Sequence, residues 1–178
     1  MDKNLSSSVY DPMTYVGVDQ AGTKIHFFVI DGRQDWVSMG VKFYEMVRIA
    51  HELDLLTTPY AYTIQEAEKM ARAGADIVVA HCRGTVGGMV GVAKDGIMTI
   101  DEACKKVQDI HDAVTAINPE AMVICHGGPI ATPEDAAYVL GHTKGVAGFY
   151  GASSAERLPV EKAIKAQVEA FGAIPLPR

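Results

Sequence analysis

The chain has 178 residues and a mass of 19.1 kDa, which suits one compact domain. At 48% hydrophobic and 21% charged residues it is built like a globular protein, which excludes a disordered tail, a collagen-like chain and a simple coiled coil. The net charge of −6 argues against nonspecific binding to nucleic acid or to an anionic membrane surface.

No apolar run approaches the ~20 residues of a membrane helix, and the opening MDKNLSSSVYDP has no apolar core of a secretory signal. The three cysteines, Cys82, Cys104 and Cys125, are odd in number and form no CxxC. That pattern disfavours a disulfide scaffold and points to a reducing, cytoplasmic location.

In chain order, residues 1–24 are rich in Ser, Asp and Gly and read as an arm or a remnant, with a short strand at 15–18. Residues 25–178 read as the folded domain. Residues 25–30 (IHFFVI) form a strand candidate ending at Asp31-Gly32. Asp35 then caps a predicted helix whose face carries Trp36, Met39, Gly40, Phe43, Val47 and Ala50, with Leu53 at its end. Residues 56–62 read as a short strand interrupted by Pro59. Thr63-Ile-Gln-Glu66 is a capping box that opens a helix to about residue 73, stopped by Gly74.

Residues 76–80 (DIVVA) are a near-continuous apolar run, as in a parallel strand covered on both faces. A glycine-rich segment, 81–96, follows and is too long for a plain turn. A second capping box, Thr99 to Glu102, opens a helix with Ala103, Cys104, Val107, Ile110, Val114 and Ile117 in period, ended by Asn118-Pro119. Residues 121–125 (AMVIC) form the next buried strand, and Thr132-Pro133 starts another helix. Residues 145–150 (GVAGFY) are the last predicted strand. A final helix over 159–171 carries Val160, Ala163, Ile164, Val168 and Phe171 on one face.

The predicted fold class is therefore α/β, a βα unit repeated about five times with parallel strands and right-handed crossovers. Periodicity does not separate an open doubly wound sheet from a run of barrel units. A complete (β/α)8 barrel takes ~250 residues, more than this chain offers.

In such folds chemistry gathers at the carboxyl ends of the strands. His81 and His126 each follow a buried run directly, in DIVVAH and AMVICH, and are the candidate acid/base or anion-orienting pair. Two histidines without a local carboxylate do not make a metal-ligand set, so metal ligands are unknown. After the last strand, Gly151, Ser153 and Ser154 offer a turn with free amides and hydroxyls for phosphate or carboxylate. Gly127 and Gly128 provide the neighbouring loop. Arg83, in the glycine-rich loop, is the candidate clamp for an anionic group. No G-K-[ST] follows those glycines, so the loop is not a P-loop. The alternatives are loop-backbone hydrogen bonds for the histidines and a capped tight turn at the serines. Cys82 and Cys125 read as buried, inert thiols, Glu156 and Arg157 as a solvated pair, and Asp31 as a lone carboxylate too weak to define a cation site.

From about Arg48 to the end, RIAHELDLLTTPYAYTIQEAEKMARAGADIVVAH, ICHGGPIATPEDAAYVL and GVAGFYGASSAERLPVEKAI resemble the phosphoenolpyruvate hydrolase-like proteins, a family also described as TIM-barrel signal-transduction proteins. The same domain resembles the C-terminal part of plant tobamovirus-resistance proteins. The resemblance implies a TIM barrel of the phosphoenolpyruvate/pyruvate-binding type, with Mg2+ holding an enolate or carboxylate. Typical members begin with about three further βα units, so this chain is expected to be a partial barrel. The segment before residue 33 matches poorly. An open barrel exposes sheet edges that dimerisation, or a complementary barrel half, would cover.

The leading expectation is an enzyme acting on a small phosphorylated or α-keto acid. His81 and His126 would be catalytic, and Arg83, Gly127, Gly128, Gly151, Ser153 and Ser154 would bind substrate. The alternative is a non-catalytic anion-binding or interaction module, or an inactive barrel fragment. A flavodoxin-like regulatory domain ranks last, because only Asp31 and Asp35 follow the first clear strand.

Overall fold

The structure is a computed structural model describing residues 13–18, 25–30, 43–89, 91 and 96–175, with backbone alone for 13–18, 25–30 and 43–44. Strands β1 (Met13–Val18) and β2 (Ile25–Ile30) pair antiparallel, Met13 opposite Ile30 and Val18 opposite Ile25. This corrects the reading of residues 25–30 as the first parallel strand. Only residues 19–24 separate the two strands, whereas a parallel crossover needs a dozen residues or more. Asp31, Asp35, Trp36, Met39 and Gly40 lie outside the described residues. Helix α1 is described as Phe43–Glu52.

The remaining elements alternate: β3 (Tyr60–Ala61), α2 (Ile64–Arg72), β4 (Ile77–His81), α3 (Ile100–Ile117), β5 (Met122–His126), α4 (Pro133–Gly141), β6 (Gly148–Phe149) and α5 (Leu158–Gly172). Strands β3 to β6 form one parallel sheet in chain order, the architecture of a barrel segment. Among the described residues the parallel strands number four rather than about five, because β2 belongs to the hairpin.

The chain packs as two compact units, residues 1–79 with 109–123 and residues 80–108 with 124–178. In the first, Val47, Met70, Val78, Val79, Ile110, Val114 and Val123 are buried. Pro59 has no N–H to give, so pairing beside β4 runs through carbonyls. Thr57 O accepts from Ile77 N–H (3.1 Å) and Pro59 O from Val79 N–H (2.9 Å). A reciprocal lock sets this register. Asp76 Oδ2 accepts from Thr57 N–H (2.8 Å), Thr57 Oγ1–H (2.7 Å) and His51 Nε2 (2.9 Å), while Asp76 N–H donates to Thr57 Oγ1 (3.0 Å). These bonds outweigh the effect of burial and hold the Asp76 carboxyl below the usual carboxylate range. The predicted capping box is present: Thr63 Oγ1 accepts from Glu66 N–H (3.1 Å), and Glu66 accepts from Thr63 N–H (3.2 Å).

In the second unit, Cys82, Ala103, Val107, Cys125, Ile130 and Val139 are fully or almost fully buried. The second predicted box caps α3, with Glu102 N–H donating to Thr99 Oγ1 (3.2 Å). Thr132 caps α4 through Asp135 N–H (3.2 Å), with Pro133 in the first turn. Helix α4 packs on β6, and β6 lies parallel to β5 with Cys125 opposite Phe149. Leu158 anchors the start of α5, but its apolar face is exposed.

Candidate functional site

The buried runs carry two histidines to the ends of neighbouring strands. His81 closes β4 and His126 closes β5, with the rings 4.6 Å apart at 81°, edge to face. Both residues are buried. Their hydrogen bonds fix opposite tautomers. Arg83 N–H donates to His81 Nδ1 (2.9 Å), so the proton of a neutral His81 sits on Nε2. His126 Nδ1 faces the carbonyl of Tyr150 at 2.6 Å; a carbonyl only accepts, so Nδ1 carries the proton and Nε2 is the basic nitrogen.

Burial lowers the His81 pKa to about 4, helped by the neighbouring His126 and the Lys106 ammonium. His81 is thus a neutral N–H donor at neutral pH. Lys106 Nζ donates to the carbonyl of His81 at 2.9 Å, which puts a cation beside the pair. Tyr150, just past β6, turns its ring edgewise to His126 at a centroid distance of 6.3 Å, and its N–H donates to Cys125 O. The ends of β4, β5 and β6 therefore meet around His126.

The two loops above these strand ends are bonded to each other. Cys82 N–H donates to His126 O (2.8 Å), Gly128 N–H to Arg83 O (2.7 Å) and Val86 N–H to Gly128 O (3.1 Å). Gly128 has φ +59°, and a Cβ there would strike the carbonyl of Cys82, so the second glycine of HGGP serves close loop packing. Its amide is committed to Arg83. Gly127 likewise lies against the Arg83 carbonyl.

Arg83 is exposed and holds φ +78°, rare for a residue with a side chain. Gly151, Ser153 and Ser154 lie in the turn after β6. That turn is closed by Ala155 N–H and Glu156 N–H on Ala152 O, and by Leu158 N–H on Ser153 O.

Sequence reasoning passed over Lys106, which looks like any solvated lysine on an amphipathic helix, and Tyr150, whose backbone carbonyl does the work. It paired Arg157 with Glu156, whereas Arg157 bonds Glu161 (3.1 Å). The i,i+4 spacing was the available signal. Cys82 and Cys125 are buried, as expected, with their pKa values pushed up by burial to about 11 and about 12. Among the described residues no group of three or more His, Cys, Asp or Glu side chains is placed to hold a metal ion. Among the same residues no helix is long and apolar enough to cross a membrane.

The sequence is 56% identical over 130 residues to the ToMV susceptible protein tm-1(GCR26) of Solanum lycopersicum, and 55% identical over the same length to the ToMV resistance protein Tm-1(GCR237) of that plant. Each match covers 73% of this chain and 17% of the relative, so the chain spans about a sixth of those proteins. Among solved structures it is similar to the N-acetylmannosamine-6-phosphate 2-epimerase of Clostridium perfringens, with a TM-score of 0.47 at 20% identity over 74% of this chain and 50% of that one. Residues 31–174 match the phosphoenolpyruvate hydrolase-like family, and the chain belongs to that family.

Proposed function

We propose that the chain acts on a small phosphorylated or α-keto acid, such as phosphoenolpyruvate, at the carboxyl ends of β4 to β6. The observation that carries this reading is the His81–His126 pair: two buried rings 4.6 Å apart whose bonds make one Nε2 a proton donor and the other a base. Such a pair serves an enol–keto substrate. His126 Nε2 takes a proton from water or from carbon, and His81 Nε2–H steadies the oxygen on which negative charge grows. Lys106 adds positive charge beside His81. Arg83 and the Gly151–Ser153–Ser154 turn are proposed to hold the carboxylate or phosphate. The proposal extends to partners: a second copy of the chain covers the exposed face of α5.

The test is turnover of phosphoenolpyruvate to pyruvate and phosphate, with and without Mg2+, by the 178-residue chain. His126→Gln and His81→Gln are each expected to lower kcat by about a hundredfold or more. Calorimetry alongside separates the readings. Binding of phosphoenolpyruvate without turnover leaves an anion-binding module, and no binding at all removes the proposal.

A further inference from the structure

The glycine-rich loop after β4 is tied to the start of α5 by residues seventy positions away in sequence. Arg157 Nη1 donates to the carbonyl of Gly87 (3.0 Å) and to Glu161 Oε1 (3.1 Å), and Arg157 Nη2 reaches the carbonyl of Thr85 (3.5 Å). Glu161 Oε2 accepts from Met89 N–H at 2.8 Å. The two side chains are only 17% and 13% exposed, so this pair is more sheltered than the i,i+4 pairs Arg48–Glu52 at 61% and 59%, Arg72–Glu68 at 60% and 35% and Lys165–Glu169 at 67% and 65%. Gly88, at φ +78°, sits so close that a Cβ would land on Glu161, Arg157 and Leu158. One ion pair thus satisfies three loop backbone groups at once, a use that a solvated surface pair does not have.

The same loop reaches the candidate site from its other end. Its second residue, Arg83, donates its N–H to His81 Nδ1 and accepts from Gly128, and Val86 N–H bonds Gly128 O. Residues 82–89 are therefore pinned at both ends, to the histidine loops on one side and to Arg157 and Glu161 on the other. The two sets of bonds meet at residues 85 and 86, where Thr85 O faces Arg157 and Val86 N–H bonds Gly128 O.

We infer that Arg157 and Glu161 are positioning residues: by latching residues 85–89 to α5 they hold Arg83 where its N–H fixes the tautomer of His81. With the latch open, residues 82–89 lose one of their two anchors, the Arg83 amide leaves Nδ1, and His81 samples both tautomers. The consequence for catalysis rests on the proposed acid/base role of His81. The latch itself does not, since it is read from bonds and exchange rates.

The experiment compares wild type with Arg157→Gln, Glu161→Gln and the conservative Arg157→Lys. Amide hydrogen exchange follows residues 85–89, and long-range proton–nitrogen spectra follow the His81 ring, with far-UV circular dichroism checking the fold. Both glutamine variants are expected to speed exchange of the Met89 amide by about tenfold, to mix the His81 tautomers and to move its pKa upward from about 4, with Arg157→Lys intermediate. A faster-exchanging loop with His81 unchanged in tautomer and pKa overturns the positioning role, as does unchanged exchange in both glutamine variants. If a glutamine variant fails to fold, the Arg157→Lys data decide by the same criteria. Absence of phosphoenolpyruvate turnover in wild type would defeat the proposed function while leaving these readouts intact.

Discussion

At the scale of single residues, two positions let stability and function be separated. Arg83 holds a left-handed backbone conformation that costs a residue with a Cβ on the order of 1 kcal/mol relative to glycine. Arg83→Gly is therefore expected to raise the urea midpoint slightly, by up to about 1 kcal/mol of stability, while weakening phosphoenolpyruvate binding in calorimetry. A variant that is less stable and binds equally well would show that the guanidinium serves the fold instead. His81 gives a pH signature. Its pKa falls from 6.5 to about 4 in the folded chain, so below pH 6.5 the unfolded state takes a proton that the folded state refuses. Stability is expected to fall as pH drops from about 6.5 to about 4, and this part of the slope should vanish in His81→Gln, measured by urea unfolding at each pH. The lowered carboxyl pKa of Asp76 acts at more acid pH, where protonation weakens the lock on Thr57.

At the scale of elements, the helix starts follow from local chemistry. Glu66 is buried and its carboxylate accepts from both Tyr62 N–H (2.8 Å) and Thr63 N–H (3.2 Å), whereas Thr63 Oγ1 accepts one bond. Thr63→Ala is expected to cost about 1 kcal/mol and Glu66→Ala about 2 kcal/mol, because two amides then lose their partner; thermal unfolding orders the pair. These caps were legible in the sequence because N-cap chemistry is decided within four residues. So were the buried runs of β4 and β5, and with them the two histidines at their ends. The pairing of residues 25–30 was not legible, since an apolar run fits a parallel strand or one arm of a hairpin equally well. Nor was the latch legible: Arg157 and Glu161 announce a helical ion pair, but their loop carbonyl and amide partners lie far away in sequence. Gly128 shows a milder form of the same limit. A glycine-rich strand end suggested a phosphate cradle, and the φ of +59° with the Cys82 carbonyl against it gives that glycine a packing role of its own.

At the scale of the whole molecule, the open feature is the outward face of α5. Val160, Ile164, Val168 and Phe171 recur at helical spacing and are 51%, 57%, 63% and 66% exposed, with Ile174 beyond the helix at 61%. Lys162, Lys165 and Glu169 occupy the other side of the helix, so the apolar stripe is continuous. Side chains of this size expose on the order of several hundred square ångströms of contiguous apolar surface, the range that marks interaction sites on soluble proteins. Two such faces laid together approach the lower end of stable protein interfaces, near 1,000 Å2 in total. Self-association through α5 is accordingly expected to be weak and reversible, with the mass seen by light scattering rising toward that of a dimer as concentration increases. The double variant Ile164→Lys, Val168→Lys should remain monomeric and shift its thermal midpoint little, because both side chains are more than half exposed in the isolated chain. Association undiminished in that variant would place the contact elsewhere, with the exposed Leu53, Leu56 and Tyr62 as the next surface to alter.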